Sequence, residues 1–133
     1  MAMYVAQQVV TLMIRRRQAV CGSRILMLGV TFKENCPDVR NSKVVDVIRE
    51  LEKVGAKVDV HDPWADAADT RHEYGIQLKQ RLVPGTYDAI ITAVPHEVFR
   101  KMGVKAIRRL GRRKHVLYDV KHVFGRDETD GRL

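Results

Sequence analysis

Two runs of strand length, the first continuously apolar and the second largely apolar, constrain the fold of this chain more than any other feature. They cover residues 25–30 and 87–94. A strand that is apolar along its whole length is buried on both faces, as in a parallel sheet covered by helices. An alternating pattern predicts a further strand at Lys57–His61, and a last strand is predicted at His115–Val120.

Helical patterns lie between these strands. The predicted helices cover residues 3–13, 44–54, part of 64–74 and 97–110. Gly55 is the expected stop of the second helix, and the last helix is expected to break near Gly103. Asn41 or Ser42 is expected to cap the second helix through its side chain. The polar tail from Gly125 is expected to fray.

This alternation of strands and helices predicts an α/β fold: a doubly wound, mostly parallel sheet of Rossmann-like type, in three layers. Right-handed crossovers leave few topologies. If the first strand is central, with the second on one side and the third on the other, the chain reverses direction across the sheet at 29–33 and 92–96. Ligands bind at such a switch point.

The net charge of +8 calls for an anionic partner, unless it is only a solvated surface. Basic residues concentrate at 15–17 and 108–114. Nucleic-acid binding is the less favoured interpretation, because no helix-turn-helix, zinc-finger or RNP-type motif is present. The longest apolar stretches are far shorter than the ~20 residues that cross a membrane. Two cysteines and five histidines without metal-ligand spacing favour the cytoplasm, with no disulfide and no metal site.

The loop after the first strand carries two cations but no glycine fingerprint. Without Gly-x-Gly-x-x-Gly or a Gly-Lys-Ser/Thr ending, the side chains of Lys33 and Arg40 would have to hold any phosphate. The alternative is surface charge that balances Glu34 and Asp38, with Asp38 orienting Arg40 through an ion pair. Lys121, after the last strand, is a candidate for a third anion contact.

Three other residues each carry two interpretations. Asp62 lies about 30 residues after Gly29, where a dinucleotide-binding fold places its ribose-binding acid, but Asp62-Pro63 is more typical of a turn. His96 suits catalysis or the capping of the next helix, and capping is favoured. Cys36 could be a nucleophile, but no histidine is close in the sequence, so a small loop filler is favoured.

The first loop and its flanks resemble the C-terminal domain of the UDP-glucose/GDP-mannose dehydrogenases. The residues that carry the resemblance are Gly29–Ser42 (GVTFKENCPDVRNS), Gly55, His61-Asp62-Pro63 and Asp88-Ala89-Ile90. At Cys36-Pro37 the chain resembles the branch of the family that oxidises UDP-N-acetylhexosamines for bacterial surface polysaccharides. The resemblance implies an NAD-dependent enzyme that oxidises C6 of a nucleotide sugar from alcohol to carboxylate in two hydride transfers.

By motif position, the resemblance implies that Phe32, Lys33 and Lys121 contact the UDP-sugar and that Arg40 reaches NAD. An N-terminal domain would bind most of that cofactor. Residues 1–22 would be the end of a central connecting helix, and 23–133 the nucleotide-sugar-binding domain. No catalytic residue is expected here, because the family's Gly-Gly-x-Cys-x-Pro segment is absent.

The chain is therefore expected to be a piece of a larger, homodimeric dehydrogenase and to be inactive alone. Two alternatives remain open from the sequence. One is a free-standing nucleotide-binding module that regulates a partner. The other is a basic adaptor for nucleic acid, which would show steep salt dependence.

Overall fold

The computed structural model describes residues 1–133 and contains five strands and four helices. The strands are β1 (Arg24–Leu28), β2 (Lys57–His61), β3 (Tyr87–Thr92), β4 (Gly111–Asp119) and β5 (Gly131–Arg132). The helices are α1 (Ala2–Arg15), α2 (Val44–Lys53), α3 (Ala67–Tyr74) and α4 (Glu97–Arg108). All pairings are parallel, in the order β2-β1-β3-β4-β5. The predicted parallel sheet, with β1 between β2 and β3, is confirmed.

Alternate residues of β1 face opposite layers of the molecule. Ile25 and Met27 belong to a large apolar cluster that also contains the buried side chains of α1 and α2. Leu26 and Leu28 belong to a second cluster, which α4 completes. The three-layer arrangement is therefore confirmed, and α1 contributes to the same core as the sheet.

The start of α2 differs from its predicted form. Lys43 is the N-cap residue and no side chain caps the helix. Asn41 adopts a left-handed conformation, with φ of 55°, so the chain turns before it reaches the helix. The N–H of Ser42 donates to the Tyr74 hydroxyl at 3.2 Å, and the Ser42 hydroxyl has no partner. The predicted Asn41 or Ser42 side-chain cap is wrong.

The predicted fraying of the tail is also wrong, because the tail adds β5 to the edge of the sheet. Tyr118 pairs with Gly131. Just before β5, the Asp130 carboxylate accepts the N–H of Leu117 at 2.7 Å and the Arg108 guanidinium at 3.2 Å. Burial alone would raise the pKa of Asp130, but these two hydrogen bonds outweigh it and lower the pKa.

The predicted break in the last helix is confirmed at Gly103, where φ is 83° and ψ is 158°. β4 begins at Gly111, four residues before the predicted start at His115, and its first residues are basic and largely exposed. No helix combines the length and the apolar character that crossing a bilayer requires.

Candidate functional site

A cleft of about 440 Å³ lies at the carboxyl ends of β1, β3 and β4. Its walls come from the loop after β1, the start of α2, the segment 93–95 after β3, and Lys121 after β4. The two loops predicted to form the switch point, 29–33 and 92–96, both contribute to it. The switch point predicted from the sequence therefore forms a cleft in the fold.

Three lysines line this cleft, and only one carboxylate does. Lys33 and Lys121 are two of the residues predicted from the sequence, and Lys43 is a third that the sequence analysis did not identify. None of the three side chains forms an ion pair within the chain, and Glu34 is the acid among them. Unpaired cations that share one concave surface create a positive potential that attracts anions.

Lys43 is the N-cap of α2, so the first free N–H groups of that helix lie beside it. These groups carry the partial positive charge of the helix dipole, which favours an anion at this end. In the sequence, Lys43 could have been identified only from its position directly after the Asn41-Ser42 pair, at a predicted helix start. That signal alone is weak, because only the folded sheet shows that this helix start opens into the cleft.

Phe32 supplies the aromatic surface of the cleft. It is 61% exposed although it is a large apolar side chain, and its backbone is fixed by a 2.7 Å hydrogen bond from its N–H to the Asp38 carbonyl. An exposed ring beside cations offers a flat apolar face for a base or a sugar ring. The predicted residues Phe32, Lys33 and Lys121 thus share one cleft.

Close contact between the two switch-point loops fixes the back of the cleft. Gly29 follows β1 with φ of +99°, and a Cβ on it would lie 2.6 Å from Cβ of Val94. That separation is too short for two carbon atoms, so only glycine fits at this position. The backbone after β1 can therefore lie directly against the segment after β3.

Asp62 anchors the beginning of the loop after β1. Its side chain is buried, with 4% exposed. Its two oxygens accept four backbone N–H groups, at 2.7 to 3.2 Å, from Val30, Thr31, Trp64 and Ala65. Burial alone would raise the pKa of Asp62, but the His96 hydrogen bond and the backbone donors outweigh it and hold the pKa below its usual value. The turn interpretation is confirmed, and no oxygen is free for a ribose.

His96 is fully buried and does not line the cleft. It is the N-cap residue of α4, which confirms the favoured position, but its side chain makes no cap bond. Its Nδ1 accepts the N–H of Asn35 at 2.9 Å, and its Nε2 lies 3.0 Å from Asp62 Oδ2. A backbone N–H can only donate, so the ring proton is on Nε2. The rings of Trp64 and Phe99 hold the imidazole inside the protein, at centroid distances of 6.4 and 5.4 Å.

Arg40 lies in a different cleft, of about 480 Å³. The Asp38 carboxylate holds its guanidinium through two hydrogen bonds of 3.1 Å, which confirms the predicted ion pair. That hydrogen bonding raises the pKa of Arg40, with smaller contributions from the charges of Asp38, Glu73 and Asp69, and it lowers the pKa of Asp38. The structure does not bring Lys33 and Arg40 to one anion site.

Other polar groups near the cleft are structural. Asp119 is fully buried and accepts the Thr92 hydroxyl at 2.9 Å together with the N–H groups of Val123 and Phe124, so it holds the turn that carries Lys121. Cys36 is a half-buried free thiol in the loop. No group of three or more metal-ligating side chains is close enough to hold an ion.

Comparison with known proteins gives concordant matches. Residues 26–126 match the UDP binding domain of the UDP-glucose/GDP-mannose dehydrogenase family. The whole chain is 51% identical to a UDP-N-acetyl-D-glucosamine 6-dehydrogenase of Pseudomonas aeruginosa and 49% identical to one of Salmonella typhi. It spans 32% and 31% of those relatives' lengths, about a third.

A solved structure supports the same fold. The chain superimposes on a UDP-glucose dehydrogenase from Pyrobaculum islandicum with a TM-score of 0.71 and 27% identity, covering 97% of this chain and 29% of that one. The match again involves less than a third of the longer protein.

Proposed function

This chain belongs to the UDP-glucose/GDP-mannose dehydrogenase family and contains its UDP-binding domain, and on that premise we propose its function. We propose that it binds the sugar nucleotide of an NAD-dependent UDP-sugar 6-dehydrogenase. The observation that carries the proposal is the cleft at the switch point, where three unpaired lysines surround an exposed aromatic ring. The proposed substrate is a UDP-N-acetylhexosamine, which is consistent with the names of the two relatives at about half identity. Its product would serve surface polysaccharide synthesis.

The charges of the cleft match those of a diphosphate diester. Each phosphate of a sugar nucleotide carries one negative charge, and three lysines less the Glu34 carboxylate leave a positive excess. Lys33, Lys43 and Lys121 are the proposed diphosphate contacts, because an ammonium group on a flexible stem binds phosphate as a point charge. Phe32 is the proposed contact for the uracil or sugar ring.

NAD enters this proposal only through Arg40. The chain has no glycine-rich turn. Four acids, Asp38, Asp66, Asp69 and Glu73, line the cleft around Arg40, so this cleft does not fit a bound pyrophosphate. The Arg40 side chain is nevertheless 76% exposed, and the Asp38 carboxylate orients its guanidinium. We place it at the domain surface, where it would contact NAD bound mainly by another part of the enzyme.

The remaining features of the proposal concern the longer enzyme. Residues 1–22 would be the end of a central connecting helix, and the enzyme would be a cytoplasmic homodimer. Two free thiols are consistent with a reducing compartment. Because no Gly-Gly-x-Cys-x-Pro segment is present, we expect no NADH from this chain with UDP-N-acetylglucosamine and NAD. Steady NADH formation would contradict that division of roles.

Calorimetric titration of the 133-residue chain with UDP-N-acetylglucosamine tests the binding proposal. Lys33→Ala is expected to weaken binding by about 1.5–3 kcal/mol, the usual worth of a hydrogen bond to a charged group. Lys43→Ala and Lys121→Ala are expected to act in the same direction. Lys57→Ala is the matched control, since it removes the same charge from an exposed lysine at the start of β2, away from the cleft. Equal affinity in Lys33→Ala and Lys57→Ala would refute the assignment of the cleft.

A further inference from the structure

We propose that His96 is the positioning residue for the loop that carries Phe32 and Lys33, and that it acts through the backbone N–H of Asn35. This inference rests on the proposed function, because it explains how the lysine of the cleft is held in place. His96 contacts no ligand in this proposal. It acts entirely from inside the protein.

The loop is fixed on both sides of Lys33. Before it, the Asp62 carboxylate accepts the N–H groups of Val30 and Thr31. After it, His96 Nδ1 accepts the N–H of Asn35 at 2.9 Å. Both anchors meet on one imidazole, because His96 Nε2 lies 3.0 Å from Asp62 Oδ2.

The Thr31 hydroxyl connects the backbone of Lys33 to the His96–Asp62 pair. The Thr31 hydroxyl donates to the Lys33 carbonyl at 2.9 Å, and its oxygen lies 3.3 Å from His96 Nε2. Two hydrogen bonds through the Thr31 hydroxyl therefore link the backbone of Lys33 to the buried imidazole. A lysine side chain is flexible, so its reach into the cleft depends on where its backbone is held.

Asn35 turns the chain at the end of the loop, and two contacts fix it there. Its φ is 55°, a left-handed conformation that asparagine adopts more readily than most residues with a side chain. The Asn35 N–H donates to His96, and the Asn35 side-chain oxygen accepts the N–H of Glu97 at 3.1 Å. The end of the loop is thereby attached to the start of α4.

The two ring nitrogens of His96 have separable roles. Nε2 supports the buried Asp62 carboxylate and hence stability, whereas Nδ1 holds the loop and hence binding. An asparagine places its amide near the position of Nδ1, and a glutamine places its amide near the position of Nε2. His96→Asn therefore keeps an acceptor for Asn35, and His96→Gln keeps a donor for Asp62.

Three measurements on the full 133-residue chain test this separation: thermal unfolding, hydrogen exchange at the Asn35 amide, and titration with UDP. We expect His96→Asn to lower Tm more than His96→Gln does, yet to keep the Asn35 amide protected and UDP affinity within about twofold of wild type. We expect His96→Gln to expose that amide to exchange and to weaken UDP binding about fivefold, the effect of losing one hydrogen bond. If His96 only stabilised the fold, the variant with the lower Tm, His96→Asn, would also bind UDP more weakly. That is the reverse of the order expected here.

Thr31→Val is a second variant that leaves the His96–Asp62 pair in place. It removes the hydroxyl bond to the Lys33 carbonyl together with the 3.3 Å contact to His96 Nε2, and it too is expected to weaken UDP binding about fivefold. Wild-type affinity in both His96→Gln and Thr31→Val, with Lys33→Ala weakened, would overturn the positioning role alone. Unchanged affinity in Lys33→Ala as well would overturn the proposed function. The exchange measurement needs no ligand, so an Asn35 amide still protected in His96→Gln overturns the anchor by itself.

Discussion

Replacing Gly29 by alanine tests the close contact between the loops after β1 and β3. The backbone φ of +99° costs an alanine about 1–2 kcal/mol. The new methyl would also lie 2.6 Å from Cβ of Val94 and 2.9 Å from its backbone nitrogen. A backbone atom cannot rotate away, so overpacking adds about 1–3 kcal/mol. The expected loss of stability is about 2–5 kcal/mol, or roughly 8–20 °C in Tm for a domain of this size.

Gly22→Ala is the matched control, because Gly22 has φ of +83° but no atom within 4 Å of its Cβ position. Gly22→Ala should lower Tm only by the cost of the left-handed backbone conformation, roughly 4–8 °C. Both variants are compared by thermal unfolding and by titration with UDP. Val94 lines the cleft that contains Lys33, Lys43 and Lys121. Gly29→Ala should therefore also weaken UDP binding, whereas Gly22→Ala should leave it unchanged. Equal Tm values for the two variants would show that the Gly29–Val94 contact is not rigid, and the reasoning would fail.

Three further substitutions concern the residues behind the cleft and within it. The lowered pKa of Asp62 means that its contribution to stability is present above its unfolded pKa of about 3.9 and is lost as pH falls through the folded value. The Tm difference between wild type and Asp62→Asn should therefore shrink from pH 6 to pH 3 in a series of thermal melts, and a constant difference would contradict that direction. Phe99→Ala should lower the free energy of unfolding by about 3–5 kcal/mol in chemical denaturation, because the ring is fully buried. Phe32→Ala should change that free energy by no more than about 0.5 kcal/mol but should weaken UDP binding. The reverse pattern would show that Phe32 is a packing residue.

The elements that local periodicity defines were predictable from the sequence. β2 has the predicted bounds, Lys57–His61, and the helix break falls at Gly103. Crossover handedness left few topologies, and the arrangement with β1 between β2 and β3 put the switch point where the cleft lies. These features depend on residues close together in the chain, or on rules that apply to all parallel sheets.

The errors arose where distant residues decide a local structure. The hydroxyl of Tyr74 accepts the Ser42 N–H from 32 positions away, and the tail is held at Asp130 by groups 13 and 22 positions away. His96 is the expected N-cap residue, but its side chain contacts Asp62 and Asn35, which lie 34 and 61 positions earlier in the chain. No sequence window contains such pairs.

The commitment of Asp62 to the protein's own backbone also bears on enzyme engineering. In many dinucleotide-binding proteins, exchanging the acid at the end of the second strand changes the preference between NAD and NADP, because that acid holds the ribose hydroxyls. Here both oxygens already accept backbone donors. If the proposed function is correct, the same exchange in this chain would disturb the loop that carries Lys33 and would not change the choice between NAD and NADP.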